Sequence, residues 1–274
     1  MPALYLVATP IGNLEDITLR AIRTLKEVKL IAAEDTRKTR KLLSAHNIKT
    51  PTTSYHEHNK LTKLDYILER LTSEDVALVS DAGMPGISDP GYELISEVVR
   101  HNIPLVPVPG PSALITALVV SGLPTDSFCY LGFLPHKAGE RRRMLKYASA
   151  ETRTLVIFES PHRILQSLND ILEILGNRKM AACRELTKIH EEIFRGTISE
   201  AKDHFVAPRG EFTLVIEGKS SQDEPQLSAG IEKRLLKMQE AGVTAKEGVA
   251  LIAAETGLPK KEVYGRWITI TKRR

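Results

Sequence analysis

The stretch Val76-Ala77-Leu78-Val79-Ser80-Asp81-Ala82-Gly83-Met84-Pro85-Gly86-Ile87-Ser88-Asp89-Pro90-Gly91 decides how the chain folds. Four apolar residues in succession read as a strand covered on both faces, and the Gly/Pro-rich run after them can turn sharply and let a ligand approach the backbone. Two further segments repeat the pattern: Leu4 to Ala8 runs into Thr9-Pro10-Ile11-Gly12-Asn13, and Leu105 to Val108 into Pro109-Gly110-Pro111-Ser112. The spacing between them predicts helices, with Ile17, Ala21, Leu25 and Val28 on one face, Leu64, Ile67, Leu68 and Leu71 on another, and Leu94, Ile95, Val98 and Val99 on a third. Alternating strands and helices predict a mainly parallel sheet, whose ligands gather at the carboxyl ends of its strands. Three loops are therefore expected at one site.

With 274 residues the chain is long enough for two domains and a small appendage. A formal net charge of +4 permits a polyanionic partner without requiring one. Cys129 and Cys183 lie in separate apolar runs and read as core thiols of a reducing, cytoplasmic protein. The N-terminus enters a strand without a cationic region, so no signal peptide is expected. The uncharged stretch from Asn102 to Thr125 is broken by Pro104, Pro107, Pro109 and Pro111, which excludes a membrane span there. Gly122-Leu123-Pro124-Thr125-Asp126 ends the first α/β domain, placed at 1–121. A second α/β domain, 122–218, has strands expected at Phe128 to Gly132, Thr154 to Glu159, Met180 to Arg184, Glu191 to Gly196 and Phe212 to Glu217. The polar segment from Lys219 to Ser228 reads as a linker, and 229–274 as a helical C-terminal domain.

No phosphate loop and no G-x-G-x-x-G follows any strand, so pyrophosphate cradling lacks its usual signature. His56 and His58 flank Glu57 without zinc-site spacing, and no metal is expected. There is no G-x-S-x-G elbow, and neither Ser80 nor Ser112 has a partner suggesting a triad.

The opening Leu4 to Asp16, the stretch Val79 to Gly91 and the turn Pro109-Gly110-Pro111-Ser112 resemble the tetrapyrrole-methylase superfamily of S-adenosylmethionine-dependent enzymes. Ala33-Glu34-Asp35-Thr36-Arg37, Tyr55-His56-Glu57-His58-Asn59, Gly132-Phe133-Leu134-Pro135, Glu159-Ser160-Pro161-His162-Arg163 and Arg184-Glu185-Leu186-Thr187-Lys188 resemble its small-subunit ribosomal RNA methyltransferases, which methylate a cytidine ribose of 16S RNA at the 2′-oxygen. The resemblance implies a two-domain α/β fold with a mainly parallel first sheet and a mixed second one, a homodimer, and a cofactor held in the cleft between the domains. Carried over residue by residue, the cofactor site comprises Pro10, Ile11 and Gly12, then Asp81 and Met84, then Ser112 and Ala113, closed by backbone near Phe158, Ala182 and Phe212. Family members acting on porphyrin precursors carry G-x-G-x-G-D in the first loop. Ala8-Thr9-Pro10-Ile11-Gly12-Asn13 stands there instead, which weakens a tetrapyrrole substrate.

A site for S-adenosylmethionine needs apolar walls and a few placed polar groups. Asp81 suits ribose hydroxyls or the amino group, though it also suits a turn. Methyl transfer depends on aligning the ribose oxygen and removing its proton, for which Glu34 and Asp35 are candidate bases. The alternative is that Asp35 or Thr36 caps a helix over Arg37 to His46 while Glu34 pairs with Arg37. Arg37, His56, His58, Glu159 and Arg163 are then RNA-facing or orienting groups. Two basic runs, Arg37-Lys38-Arg40-Lys41 and Lys137-Arg141-Arg142-Arg143-Lys146, are phosphate candidates or solvated helix faces. The helices over Ala245 to Thr256 and Pro259 to Trp267 resemble a helix-turn-helix, with Lys260, Lys261 and Arg266 as contacts, or form a cap anchored by Trp267. The expected function is 2′-O-methylation of 16S ribosomal RNA in or with the small subunit. A tetrapyrrole-precursor C-methylase and a non-catalytic nucleic-acid-binding protein are the alternatives.

Overall fold

A computed structural model describes residues 2–220 and 229–272. Most of the expected linker lies outside those residues. By its internal contacts the chain forms two compact units, 1–218 and 219–274.

The first unit begins with ten alternating elements: β1 (Leu4–Val7), α1 (Leu19–Glu27), β2 (Leu30–Ala33), α2 (Thr36–Ala45), β3 (Thr52–Ser54), α3 (Lys60–Arg70), β4 (Val76–Val79), α4 (Tyr92–Arg100), β5 (Leu105–Val108) and α5 (Ala113–Val120). The five strands form one sheet in the order β3-β2-β4-β1-β5, and every pairing is parallel. β2 and β4 are buried at every residue, as their unbroken apolar runs require. One face of the sheet packs against Ala21 and Leu25 of α1 and Leu42 and Leu43 of α2; the other packs against Ile67 of α3 and Leu94 and Val98 of α4. The neighbours β1 and β4 thus send their chains to opposite faces, the arrangement that opens a crevice at the strands' carboxyl ends.

The unit continues through β6 (Phe128–Phe133), α6 (Ala138–Ala148), β7 (Thr154–Glu159), α7 (Ile164–Leu175), β8 (Lys179–Arg184), β9 (Glu192–Thr197), α8 (Ile198–His204) and β10 (Phe212–Ile216). This second sheet has the order β6-β7-β10-β8-β9, parallel at β6/β7 and antiparallel elsewhere. One face buries Leu155, Ile157 and Leu214 beneath α6, α7 and α8. The other packs Val156, Ala181 and Val215 against Leu114, Ala117 and Leu118 of α5. The break at 121/122 therefore separates the two sheets in sequence, yet α5 belongs to the core of the second one, which is why residues 1–218 hold together as one unit. Cys183 is buried, but Cys129 is only partly so and lines a surface hollow beside α6, which corrects its reading as a core thiol.

The second unit contains α9 (Ala229–Glu240), α10 (Ala245–Thr256) and α11 (Lys260–Lys272) around Leu235, Val249, Ile252, Val263 and Trp267. Thr244 and Glu247 form a reciprocal cap at the start of α10, and Gly257 closes it in a left-handed conformation. Trp267 is buried against Gly248, where a β-carbon would come within 2.5 Å of its ring, so the tryptophan is the packing anchor of this unit. Arg266 pairs with Glu232. Lys260 and Lys261 are exposed.

Candidate active site

The carboxyl ends of β2, β4, β1 and β5 lie side by side in the first sheet and present Glu34, Ser80-Asp81, Thr9 to Gly12 and Pro109 to Ala113 along one edge. A two-residue bridge ties the first two loops together: the Thr9 N–H donates to the Gly83 carbonyl (2.9 Å) and the Gly83 N–H to the Thr9 carbonyl (3.0 Å). The Thr9 hydroxyl also donates to the Ser80 carbonyl at 3.1 Å. Gly83 sits at φ +77°, a conformation that costs glycine little.

Asp81 organises the charges. Its N–H donates to Glu34 Oε2 (3.1 Å), its Oδ1 accepts from the Asp35 N–H (3.0 Å), and its Oδ2 accepts from Lys38 Nζ (2.7 Å). The ion pair holds Lys38 as an ammonium, its pKa raised above the ordinary lysine value. Glu34 is half-buried; burial pushes its pKa up, and the charge of Asp81 adds to the shift while the Asp81 N–H opposes it. Asp89 joins the two carboxylates. Burial first, and the charge of Glu34 second, raise its pKa to about 7. Three carboxyl groups thus share one corner, and repulsion adds to burial in raising the pKa of Glu34 and of Asp89.

Asp35 has another occupation. It caps α2, accepting from the Arg37 N–H at 2.8 Å, and pairs with the Arg37 guanidinium, which holds its carboxyl well below the usual range. Such a carboxylate is a weak proton acceptor. Arg37 therefore pairs with Asp35, not with Glu34, and its side chain stands in solvent.

The second sheet faces this edge through two loops. Thr187, at φ +67°, accepts from the Asn13 N–H through Oγ1 (3.0 Å), and Lys188 lies against Gly12. Glu185, at φ +50°, folds over Gly210, where any side chain would collide with it. A segment with two non-glycine residues in the left-handed region carries strain, which surrounding contacts must hold. On the other side Ser88 and Tyr130 hydroxyls are 2.6 Å apart. Together these loops enclose a cleft of about 290 Å³ with Pro10, Ile11, Gly12, Lys38, Asp81 and Lys188 in its walls. A larger hollow, about 770 Å³, lies beside β6 and α6, and none of the loops at the strand ends of the first sheet reaches it.

Pro10, Ile11, Gly12 and Asp81 meet in the cleft. Ser112 caps α5 through its hydroxyl at the neighbouring strand end, with Ala113 beside it. Met84 is half-buried in the loop beyond Asp81. Phe158 is half-buried, edge-on to Tyr130 and Phe133. Ala182 and Phe212 are buried in the core beneath α6 to α8, so their side chains are not available to a ligand. Glu159 is fully enclosed, bound by Arg163 (2.7 Å), the Ser160 N–H (2.8 Å) and the Ser167 hydroxyl (2.5 Å). It cannot face RNA. Arg163 also donates to the Leu134 carbonyl (2.9 Å), so this pair fixes the two loops after β6 and β7. His56 and His58 follow β3 with rings 6.0 Å apart; His58 is exposed, while His56 Nδ1 is enclosed without a partner. Among the described residues, no group of three His, Cys, Asp or Glu is arranged to hold a metal.

The family model described as Tetrapyrrole (Corrin/Porphyrin) Methylases matches residues 3–202. The chain belongs to the tetrapyrrole methylase family. It is 48% identical over 269 residues to the ribosomal RNA small subunit methyltransferase I of Halalkalibacterium halodurans, covering 95% of this chain and 93% of that one. The protein of the same name from Thermotoga maritima is 53% identical over 222 residues, 80% of this chain and 100% of that one. Uroporphyrin-III C-methyl transferase from Thermus thermophilus, complexed with S-adenyl homocysteine, shares the fold at 20% identity, with a TM-score of 0.57 over 78% of this chain and 97% of that one. A methylase of this family uses S-adenosylmethionine, and the edge suits it. Half-buried Met84, Ala113 and Phe158 offer apolar surface, the turn backbones offer donors and acceptors, and Asp81 retains acceptor capacity beyond its present partners.

Proposed function

We propose that this chain is a methyltransferase that transfers the methyl group of S-adenosylmethionine to the ribose 2′-oxygen of a cytidine in 16S ribosomal RNA. The identity of 48% along 95% of the chain with a protein named for ribosomal RNA of the small subunit carries the reading. When bound, the cofactor supplies an electrophilic methyl on a positively charged sulfur. The loops after β1, β4 and β5 hold it, with Pro10, Ile11, Gly12, Asp81, Met84, Ser112, Ala113 and Phe158 as its surroundings.

Glu34 is the group we assign to accept the hydroxyl proton. Its raised pKa makes it a better acceptor than Asp35, which Arg37 holds ionised. Lys38 keeps Asp81 in place, and the ammonium's field favours a developing alkoxide nearby. Arg37, His56 and His58 stand on the same edge of the sheet for contacts to RNA, whereas Glu159 and Arg163 serve as positioning residues for the neighbouring loops. Action on small subunits places the protein in the cytoplasm, and we assign it a homodimer, as the family resemblance implies. No helix among the described residues is long and apolar enough to cross a membrane.

The test supplies purified protein with methyl-labelled S-adenosylmethionine and either unmodified small ribosomal subunits or a uroporphyrinogen. Label in ribose of the RNA is expected. Label in the tetrapyrrole instead favours the C-methylase, and RNA binding without transfer favours the non-catalytic alternative.

A further inference from the structure

The two basic runs of the sequence part company in the structure. On α6, Arg141 is buried against Asp170, and Arg142 is held by Asp170 and Glu173 of α7. Those two cations are spent on packing two helices, while Arg143 and Lys146 are exposed, with Arg143 on the hollow beside α6 and not on the cleft. On α2, by contrast, Lys38 and Lys41 lie one turn apart and both line the 290 Å³ cleft, joined across it by Lys188 from the second sheet. Lys38 is engaged by Asp81, and Lys188 by Glu185 (2.8 Å) and Glu211 (2.9 Å). Lys41 has no carboxylate partner among the described residues and is exposed at the cleft wall. Its ammonium is therefore the one in this cleft ready for an anion without first giving up an ion pair.

The rest of the lining gives the anion its class. Leu14 and Leu42 add apolar surface beside Pro10 and Ile11, the first-loop residues that also hold the cofactor. A small cleft with apolar surface and ammonium groups of two origins matches a sugar ring joined to a phosphate better than a free inorganic ion, which has no apolar part. The cleft also borders Asp81, and so opens beside the Glu34 corner.

We propose that the rim of this cleft formed by Lys41 and Lys188, beside the first-loop residues that hold the cofactor, is a subsite for one sugar–phosphate unit of the RNA strand, with the two ammonium groups on its phosphate oxygens. The inference rests on the RNA-methylation reading and adds the anchor that sets the strand's register at Glu34. Lys188 is already bound by Glu185 and Glu211, and Glu185 is packed over Gly210 in the same strained loop. Lys41 is thus the cleaner residue to change.

The experiment uses the full chain, methyl-labelled S-adenosylmethionine and unmodified small subunits across a sodium chloride series, with Lys41→Gln, Lys41→Arg and Lys188→Gln. Loss of one phosphate contact lowers the slope of log affinity against log salt by about 0.7 to 0.9. The expected result for Lys41→Gln is that decrease, with a several-fold higher KM for RNA at low salt. Turnover at saturating RNA and calorimetric affinity for S-adenosylmethionine stay unchanged, and Lys41→Arg restores the slope. Unchanged KM and slope in both glutamine variants overturn the subsite. A parallel loss of cofactor affinity also overturns it, since the rim then belongs to the cofactor. Wild-type protein that neither binds nor methylates RNA overturns the functional reading itself, a result separable from the other two.

Discussion

Replacing Asp89 by Asn tests the electrostatic description of the site through stability. In the folded chain this carboxyl holds its proton up to about pH 7, against an ordinary value of 3.8, because burial and the charge of Glu34 disfavour ionisation. The folded state therefore binds the proton more tightly than the unfolded one. The associated stability is fully present below pH 3.8 and is lost as pH rises to about 7, above which the cost is constant. At about 1.4 kcal/mol per unit the shift sets a ceiling of about 4 kcal/mol. Asp89 is only partly buried, and solvent screening brings the effect to the order of 1–2 kcal/mol. Asparagine keeps the shape and an acceptor but never ionises. Asp89→Asn should thus be more stable than wild type by 1–2 kcal/mol at pH 8, roughly 2–8 °C in melting temperature, and by only a few tenths at pH 4.5. Thermal unfolding at the two pH values measures both. A gain of equal size at both, or a loss at pH 8, would refute the carboxylate corner as described.

Glu34→Gln should lower turnover by about 100-fold or more, within the range for a lost general base, and leave the calorimetric affinity for S-adenosylmethionine near wild type. Wild-type turnover in that variant removes Glu34 as the base. Since its pKa is raised, kcat should climb with pH through the upper carboxylate range and flatten once Glu34 is ionised. Asp81→Ala should weaken cofactor binding and also free Lys38 and the start of α2, so a large fall in affinity with a small fall in melting temperature is expected from paired calorimetry and thermal unfolding. Gly12→Ala forces a β-carbon to within 2.5 Å of Lys188 and 2.8 Å of Thr187. It should cost about 1–3 kcal/mol of stability and raise KM for RNA, and unchanged values of both would show that the 185–188 loop yields freely.

Strands β1, β4 and β5 were legible because each is an apolar run closed by turn residues, whereas β3, Thr52–Ser54, is short and polar and carries no such signal. Helix α8 was less so, although Thr197-x-x-Glu200, a reciprocal cap in the structure, marks its start in plain sequence. At the site, Glu34 and Asp81 could be picked out because they stand one and two residues beyond the apolar runs of β2 and β4. Asp89 could not, since Ser88-Asp89-Pro90-Gly91 has the composition of a turn, and its raised pKa comes from burial and from the charge of Glu34 on another strand end. The available signal was a second carboxylate in the loop that already carried Asp81. Of the two roles the motif around Glu159 allowed, facing RNA or orienting its neighbours, enclosure by Ser167 of α7 and Arg163 leaves the second. The sorting of the basic runs was equally hidden, because the acids that neutralise Arg141 and Arg142 come from a helix of different sequence neighbourhood.

The central claim is tested most directly by mass mapping of 16S ribosomal RNA from cells that lack this chain, before and after their small subunits are incubated with the purified protein and S-adenosylmethionine. One cytidine that gains a methyl on its ribose 2′-oxygen is the expected result. An unchanged ribose-methyl pattern, or a methyl placed on a base, would contradict it.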